Sequence, residues 1–203
     1  MKILLTGFTP FNGEAVNPAW EAVKLLASPS SELELYKLEV PTAYDEAAQL
    51  ICNEIDKIQP DYVLALGQAG GVTCLNIEYV GINCQAANIP DNKGVRREYV
   101  QIDAKGPAAY FATLPVLKLV KALQEANIPA KVSLSAGTFV CNDVLYSILH
   151  HCATRKLKSK CGFLHVPYLP EQVIAKPKMP SMALSDMLKG LEVILATLLQ
   201  MEK

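Results

Sequence analysis

The chain has 203 residues, of which 51% are hydrophobic and 19% charged, and its 19 basic and 20 acidic residues leave a formal net charge of -1. That balance excludes a disordered segment and fits a single domain over residues 1–203 whose apolar content can cover both faces of a sheet. The absence of a long basic run argues against nucleic-acid binding, and no uncharged apolar stretch of roughly 18 residues is present to cross a bilayer as a helix.

The first apolar run, Lys2 to Phe8, predicts a strand. Its short apolar stretch after Lys2 falls far below the roughly 7 to 15 residues of an export signal, so a cytoplasmic protein is expected. In that setting Cys52, Cys74, Cys84, Cys141, Cys152 and Cys161 read as reduced thiols, with no spacing that suggests a metal site. The turn Thr6 to Gly13 lacks both Gly-x-Gly-x-x-Gly and Gly-Lys-Ser/Thr, and is not a phosphate loop of those types. Asn17-Pro18 supplies an N-cap and a proline at the first helical position, starting a helix that runs to about Ser28. A strand follows at Leu33 to Val40, then a helix at Ala43 to Ile58 and a strand at Asp61 to Gly67. The loop Gln68-Ala69-Gly70-Gly71 is too short for a crossover helix. The next strand, Leu75 to Asn83, is therefore expected to be antiparallel or set apart. Residues Ala87 to Pro107 read as a long loop or small hairpin of the kind that carries function. A helix at Leu114 to Asn127, a strand at Ala130 to Ala136, a helix at Cys141 to Thr154, a strand at Lys160 to Leu169 and a helix at Ser181 to Gln200 complete the chain. Alternation of this kind indicates the α/β class, with a mainly parallel sheet covered on both sides.

Three stretches place a reactive side chain in apolar or tightly turned surroundings. Cys141 falls where a strand-to-helix turn ends, and the unpaired amides and dipole of a helix start favour an anion there. It also reads as lying just beyond the carboxyl end of a strand, where open α/β sheets bind ligands. His165 follows an apolar strand and precedes the turn Val166-Pro167-Tyr168. Glu78 lies inside the apolar run Leu75 to Asn83, and a carboxylate in such a place needs a partner. A thiol, an imidazole and a carboxylate form a coherent set: the imidazole takes the thiol proton, the acid orients the ring, and the sulfur attacks a carbonyl. His150 and His151, adjacent on a helix, read as an ordinary pair near its C-terminal end.

The segments Thr6-Gly7-Phe8-x-Pro10-Phe11, Asn17-Pro18-Ala19-Trp20-Glu21, Gly67-Gln68-Ala69-Gly70-Gly71, Ile89-Pro90-Asp91-Asn92, Gly106-Pro107-Ala108-Ala109-Tyr110, Ala136-Gly137-Thr138-Phe139-Val140-Cys141-Asn142 and His165-Val166-Pro167-Tyr168 resemble, in order and spacing, the pyroglutamyl peptidase I family. The resemblance spans essentially the whole chain. It implies an α/β/α sandwich, often a homotetramer, that removes N-terminal pyroglutamyl groups from peptides through a thioester, without metal or cofactor. On that footing Cys141 is the nucleophile, His165 the general base and then acid, and Glu78 the orienting acid. Phe8, Phe11, Phe139 and Val140 become apolar walls of the substrate pocket, and Gln68 a polar contact. The chain departs from the family pattern at Val72, Tyr79 and Asn88, where arginines are usual; Asn88, near the site, keeps a hydrogen-bonding group without the charge. Two other readings stay open at this point, a thiol hydrolase for another small acyl amide or lactam and a non-catalytic binding protein on the same fold.

Overall fold

The computed structural model describes residues 1–202. In chain order the strands are β1 (Lys2–Phe8), β2 (Glu34–Val40), β3 (Tyr62–Gln68), β4 (Leu75–Glu78), β5 (Val80–Ile82), β6 (Ala109–Phe111), β7 (Ala130–Ser133) and β8 (Lys160–Val166). The helices are α1 (Pro18–Leu25), α2 (Glu46–Ile58), α3 (Val116–Glu125), α4 (Val140–Arg155) and α5 (Leu184–Met201), with a short 3-10 turn at Pro170–Val173. Six strands form one sheet in the order β2-β1-β3-β8-β4-β7, and β5 pairs with β6 apart from it.

The centre of the sheet is buried on both faces because β1, β3 and β8 are apolar at nearly every position, whereas the edge strands β2 and β7 are partly exposed. Tyr62 to Gln68 is buried throughout, and so is β1 from Leu4 onward. One face, with Ile3, Leu5, Leu64, Leu66, Ile77 and Leu164, packs against α1, α3 and α5. The other, with Leu4, Phe8, Val63, Ala65, Cys161 and Phe163, packs against α2 and α4. The result is the three-layer α/β/α arrangement that alternating strands and helices imply.

Most elements match the sequence reading, including the start of α1, where Asn17 Oδ1 accepts the Ala19 N–H at 3.1 Å. The expected strand Leu75–Asn83 is broken. Its first part, β4, joins the main sheet antiparallel to β8 and separated by β8 from β3. At Tyr79 the chain leaves the sheet, and β5 pairs instead with β6. The break has a packing cause: Gly81 approaches α4 so closely that a Cβ there would stand 2.9 Å from the Tyr146 backbone nitrogen. The strand expected at Ala130–Ala136 ends at Ser133 and runs parallel to β4, hence against β8. Cys141 follows the carboxyl end of a strand, as the sequence suggested, but that strand, β7, runs against β8 and the parallel strands of the sheet. Residues 134–139 bring the chain back towards β3.

The connection after β5 is fastened to α4 by Asn142, which is almost wholly buried. Its Oδ1 accepts the Ile82 N–H, and its Nδ2 donates to the carbonyls of Ile82 and Cys84, each at 2.9 Å. Replacing Asn142 with Ala leaves three backbone groups without these partners. Asn142→Ala should lower unfolding free energy by about 2–4 kcal/mol, read from urea denaturation at constant m-value.

Candidate active site

Sheet register explains how residues far apart in sequence meet. Gly67 on β3 lies beside His165 on β8 in the parallel pairing. On the other side of β8, Asn76 lies opposite His165 and Glu78 opposite Phe163. Side chains two apart on a strand share a face, so Glu78 and His165 are diagonal neighbours across an antiparallel pair, within reach of long side chains. Glu78 Oε1 and His165 Nδ1 are 2.8 Å apart. The pair is deeply buried, Glu78 being 1% and His165 6% exposed.

Cys141 reaches the imidazole from above the sheet, in the first turn of α4. Gly67 makes room for it: a Cβ on that glycine would stand 2.9 Å from Cys141 Sγ and 2.9 Å from the Phe163 ring. No larger residue fits there without moving the sulfur. Glu78 occupies Nδ1, which leaves Nε2 as the ring nitrogen that the carboxylate does not engage. Burial pushes the His165 pKa down, but the Cys141 sulfur and the Glu78 carboxylate outweigh it and raise the value to about 10. Folding thus favours the imidazolium form of His165. The first-turn amides of Val140 and Cys141, which have no acceptor within the helix, point the positive end of the α4 dipole at the same region.

Beside the sulfur lies an aromatic wall. Phe11 and Phe139 are 5.9 Å apart between ring centroids, and Tyr44 meets Phe139 edge-on at 5.4 Å. Of the other residues singled out in the sequence, Phe8 (2% exposed) and Val140 (0%) lie in the core behind this wall, with Phe8 against Phe163 at 6.2 Å. Gln68, at the end of β3, has its Oε1 held by Gln172 Nε2 at 2.8 Å. Gln172 is oriented in turn by the Leu169 N–H, which donates to its Oε1 at 2.9 Å. Its Nε2 also donates to Glu14 Oε2 and the Val16 carbonyl, tying the loop that carries Phe11 to the end of β3. Asn88 lines a neighbouring cavity of about 320 Å³ with Arg96, Arg97, Tyr99 and Thr138. Sequence reasoning missed Tyr44 and Gln172. Tyr44 lay at the start of an amphipathic helix pattern, and Gln172 in a turn without a hydrophobic period.

His150 and His151 lie elsewhere on α4, His151 Nε2 2.9 Å from Asp56 Oδ1 and His150 Nδ1 3.0 Å from the Tyr110 hydroxyl. Among the described residues no three His, Cys, Asp or Glu side chains stand close enough to hold a metal ion, and no helix is long and apolar enough to cross a membrane.

The chain matches the family model described as pyroglutamyl peptidase over residues 1–201. It is 46% identical over 200 residues to pyrrolidone-carboxylate peptidase 1 of Caldanaerobacter subterraneus, covering 98% of each chain. It is also 46% identical to the pyrrolidone-carboxylate peptidase of Thermococcus onnurineus, over 98% of this chain and 100% of that protein. Its structure is similar to the crystal structure of pyroglutamyl peptidase I from Bacillus amyloliquefaciens, with a TM-score of 0.92 at 40% identity over 97% of this chain and 93% of that one. A mutant pyrrolidone carboxyl peptidase from Pyrococcus furiosus gives a TM-score of 0.94 at 37% identity, covering 99% of both chains.

The space at Gly67 yields a direct test. Gly67→Ala displaces the sulfur from the imidazole, and alkylation of Cys141 by iodoacetamide near neutral pH should slow by about tenfold or more, since sub-ångström to 1 Å misplacements carry losses of that order. Cys141→Ala serves as the control for labelling at the other thiols.

Proposed function

The chain belongs to the pyroglutamyl peptidase family, a family of cysteine peptidases, and from that premise we propose that it hydrolyses the amide bond after an N-terminal pyroglutamyl residue with Cys141, His165 and Glu78 as its working groups. The observation that carries the assignment is the buried His165–Glu78 contact at 2.8 Å, with the Cys141 sulfur accommodated by the missing side chain of Gly67.

In the proposed reaction the Cys141 sulfur attacks the pyroglutamyl carbonyl carbon, and the carbonyl electron pair moves onto oxygen. The amides of Val140 and Cys141 at the start of α4 are placed to stabilise that oxyanion. The His165 imidazolium gives its proton to the departing amine, so the C–N bond breaks and a thioester remains. Water, deprotonated by the now neutral imidazole, attacks the thioester, and release of free pyroglutamate restores the imidazolium–thiolate pair. Glu78 keeps the ring in one tautomer and stabilises its charged form throughout.

The aromatic wall suits the acyl group. A pyroglutamyl ring is flat and uncharged and has no free α-ammonium, so it needs apolar faces and a few hydrogen bonds in place of a carboxylate. Phe11 and Phe139 supply the faces, with Phe8 and Val140 supporting them from the core, while Gln68 and Asn88 offer amides near its edges. The same reading takes residues 1–203 as one catalytic domain of a cytoplasmic enzyme, acting as a homo-oligomer, tetramer or dimer. Six unpaired thiols support a reducing compartment. The exposed Phe111 and Leu134 offer apolar surface of the sort that subunit contacts cover.

Release of a fluorophore from a pyroglutamyl amide should occur with the native chain and fall by about 10⁴-fold or more in Cys141→Ala; turnover that survives this substitution removes Cys141 as nucleophile. The pH dependence has a definite sign. Because the folded His165 value lies above the ordinary 6.5, the pair's stabilisation is complete below about 6.5 and is lost as pH rises through about 10. Glu78→Gln removes a group that raises this value. It should lower kcat by about 10²-fold and move the alkaline limb of the kcat/KM profile to lower pH; an unmoved or alkaline-shifted limb would contradict the role given to Glu78.

A further inference from the structure

Tyr44 precedes α2, and its backbone is fixed on both sides. Its N–H donates to the buried Asp91 Oδ2 at 2.9 Å, and its carbonyl accepts the Glu46 N–H at 2.6 Å across a single residue. That residue, Asp45, has φ 62° and ψ -43°, a γ-turn of the rare φ-positive kind at a non-glycine position. Buried side chains hold the turn. The Asp45 N–H donates to Asp143 Oδ2 at 2.9 Å. Gln85 Nε2 donates to Asp45 Oδ1 at 2.8 Å and to Asp143 Oδ1 at 2.9 Å. Arg97 pairs with Asp45 Oδ2 at 2.8 Å. Asp143 lies two residues after Cys141 and is fully buried, so the helix that presents the sulfur also clamps the turn that presents Tyr44.

The Tyr44 ring packs edge-on against Phe139, the wall shared with Phe11. The residue is only 5% exposed, yet its hydroxyl has no hydrogen-bond partner among the described residues. Packing does not require the oxygen, since a phenylalanine would fill the same ring position without a stranded polar group. Burial first, and then the nearby Asp143, Asp91 and Cys141, push its pKa far above the ordinary phenol value. The group is therefore an O–H donor at any working pH.

We propose that Tyr44 is a specificity-determining residue of the acyl slot, its buried hydroxyl donating a hydrogen bond to the ring carbonyl of a bound five-membered lactam. The proposal rests on the pyroglutamyl reading of the site. A slot between aromatic rings cannot by shape alone tell a lactam from the proline ring, which has the same size and lacks the carbonyl. A fixed buried donor can, because it is left unpaired by the wrong ring. The clamp at Asp45 keeps the donor in place, which gives the turn's strain a purpose.

The test uses the full chain, a fluorogenic pyroglutamyl amide as substrate and 2-pyrrolidinone as an inhibitor that carries the lactam alone. Tyr44→Phe removes one oxygen. The expected result is a rise of about 3- to 10-fold in both KM and the 2-pyrrolidinone inhibition constant, with a melting temperature equal to or above that of the native chain. An unchanged inhibition constant would overturn the proposal. Asp45→Ala tests the clamp: it should raise KM when Tyr44 is present and add nothing in the Tyr44→Phe background, with Asp45→Asn recovering most of the loss. Additive effects would overturn the clamp's role. A native chain inactive on the pyroglutamyl amide would remove the reading of the site itself, whereas an active one with an unaffected Tyr44→Phe removes only this proposal.

Discussion

The contact between His165 and Glu78 exists because β4 runs against β8. In a wholly parallel sheet the strand after the short Gln68–Gly71 loop could not have been placed beside β8 at all, since a parallel neighbour needs a crossover. Reversal puts Glu78 level with Phe163, one step deeper than His165, so the carboxylate rises towards the ring from inside the protein. That depth has an energetic consequence. An isolated carboxylate at 1% exposure carries a large desolvation cost, and here only Oε1 is hydrogen-bonded while Oε2 has no partner. Imidazole and carboxylate thus depend on each other for their charges, and removing either strands the other in a medium that cannot solvate it.

The sulfur is placed by three constraints. Gly67 leaves a gap on the β3 side, the first turn of α4 supplies unpaired amides, and Asn142 stitches that turn to the chain after β5. A cysteine in an arbitrary core position would meet at most one of them, which is the physical difference between Cys141 and the neighbouring pair Cys152 and Cys161. Their sulfurs lie 3.5 Å apart in the core, one near the end of α4 and the other on β8.

The sequence carried the elements and the residues of the candidate site more clearly than their connections. Asn17-Pro18 marked α1, and the alternation of apolar strands with helical patterns marked the three layers. Cys141 stood out by its place at a helix start, and Glu78 by its apolar surroundings. Hidden were features settled by tertiary packing. The run Leu75–Asn83 looks continuous because Tyr79 and Val80 suit a strand; only the close approach of Gly81 to α4 reveals the break. The reversed direction of β7 follows from its pairing with β4, which no local pattern encodes. Gln172 and the Asp45–Gln85–Asp143 network join residues up to 158 positions apart, and polar residues in loops carry no period that announces such partners.

Two of the positions that depart from the family pattern, Tyr79 and Asn88, bear on how charge is handled near the sulfur. Tyr79 is committed to an aromatic contact with Phe111 at 5.2 Å and offers Glu78 no cation. Arg97, which lines the same cavity as Asn88, pairs with Asp45 and so stabilises the γ-turn. Among the described residues, the ion pair of Glu78 is with His165, and no arginine or lysine shares it. A developing oxyanion in the proposed reaction therefore has backbone dipoles as its main support. Fixed amides at a helix start do not reorganise and are not screened as a mobile surface cation is. Such a site relies on exact placement of the α4 turn, and Asn142 and Asp143, both buried, fasten that turn through hydrogen bonds to Ile82, Cys84, Asp45 and Gln85.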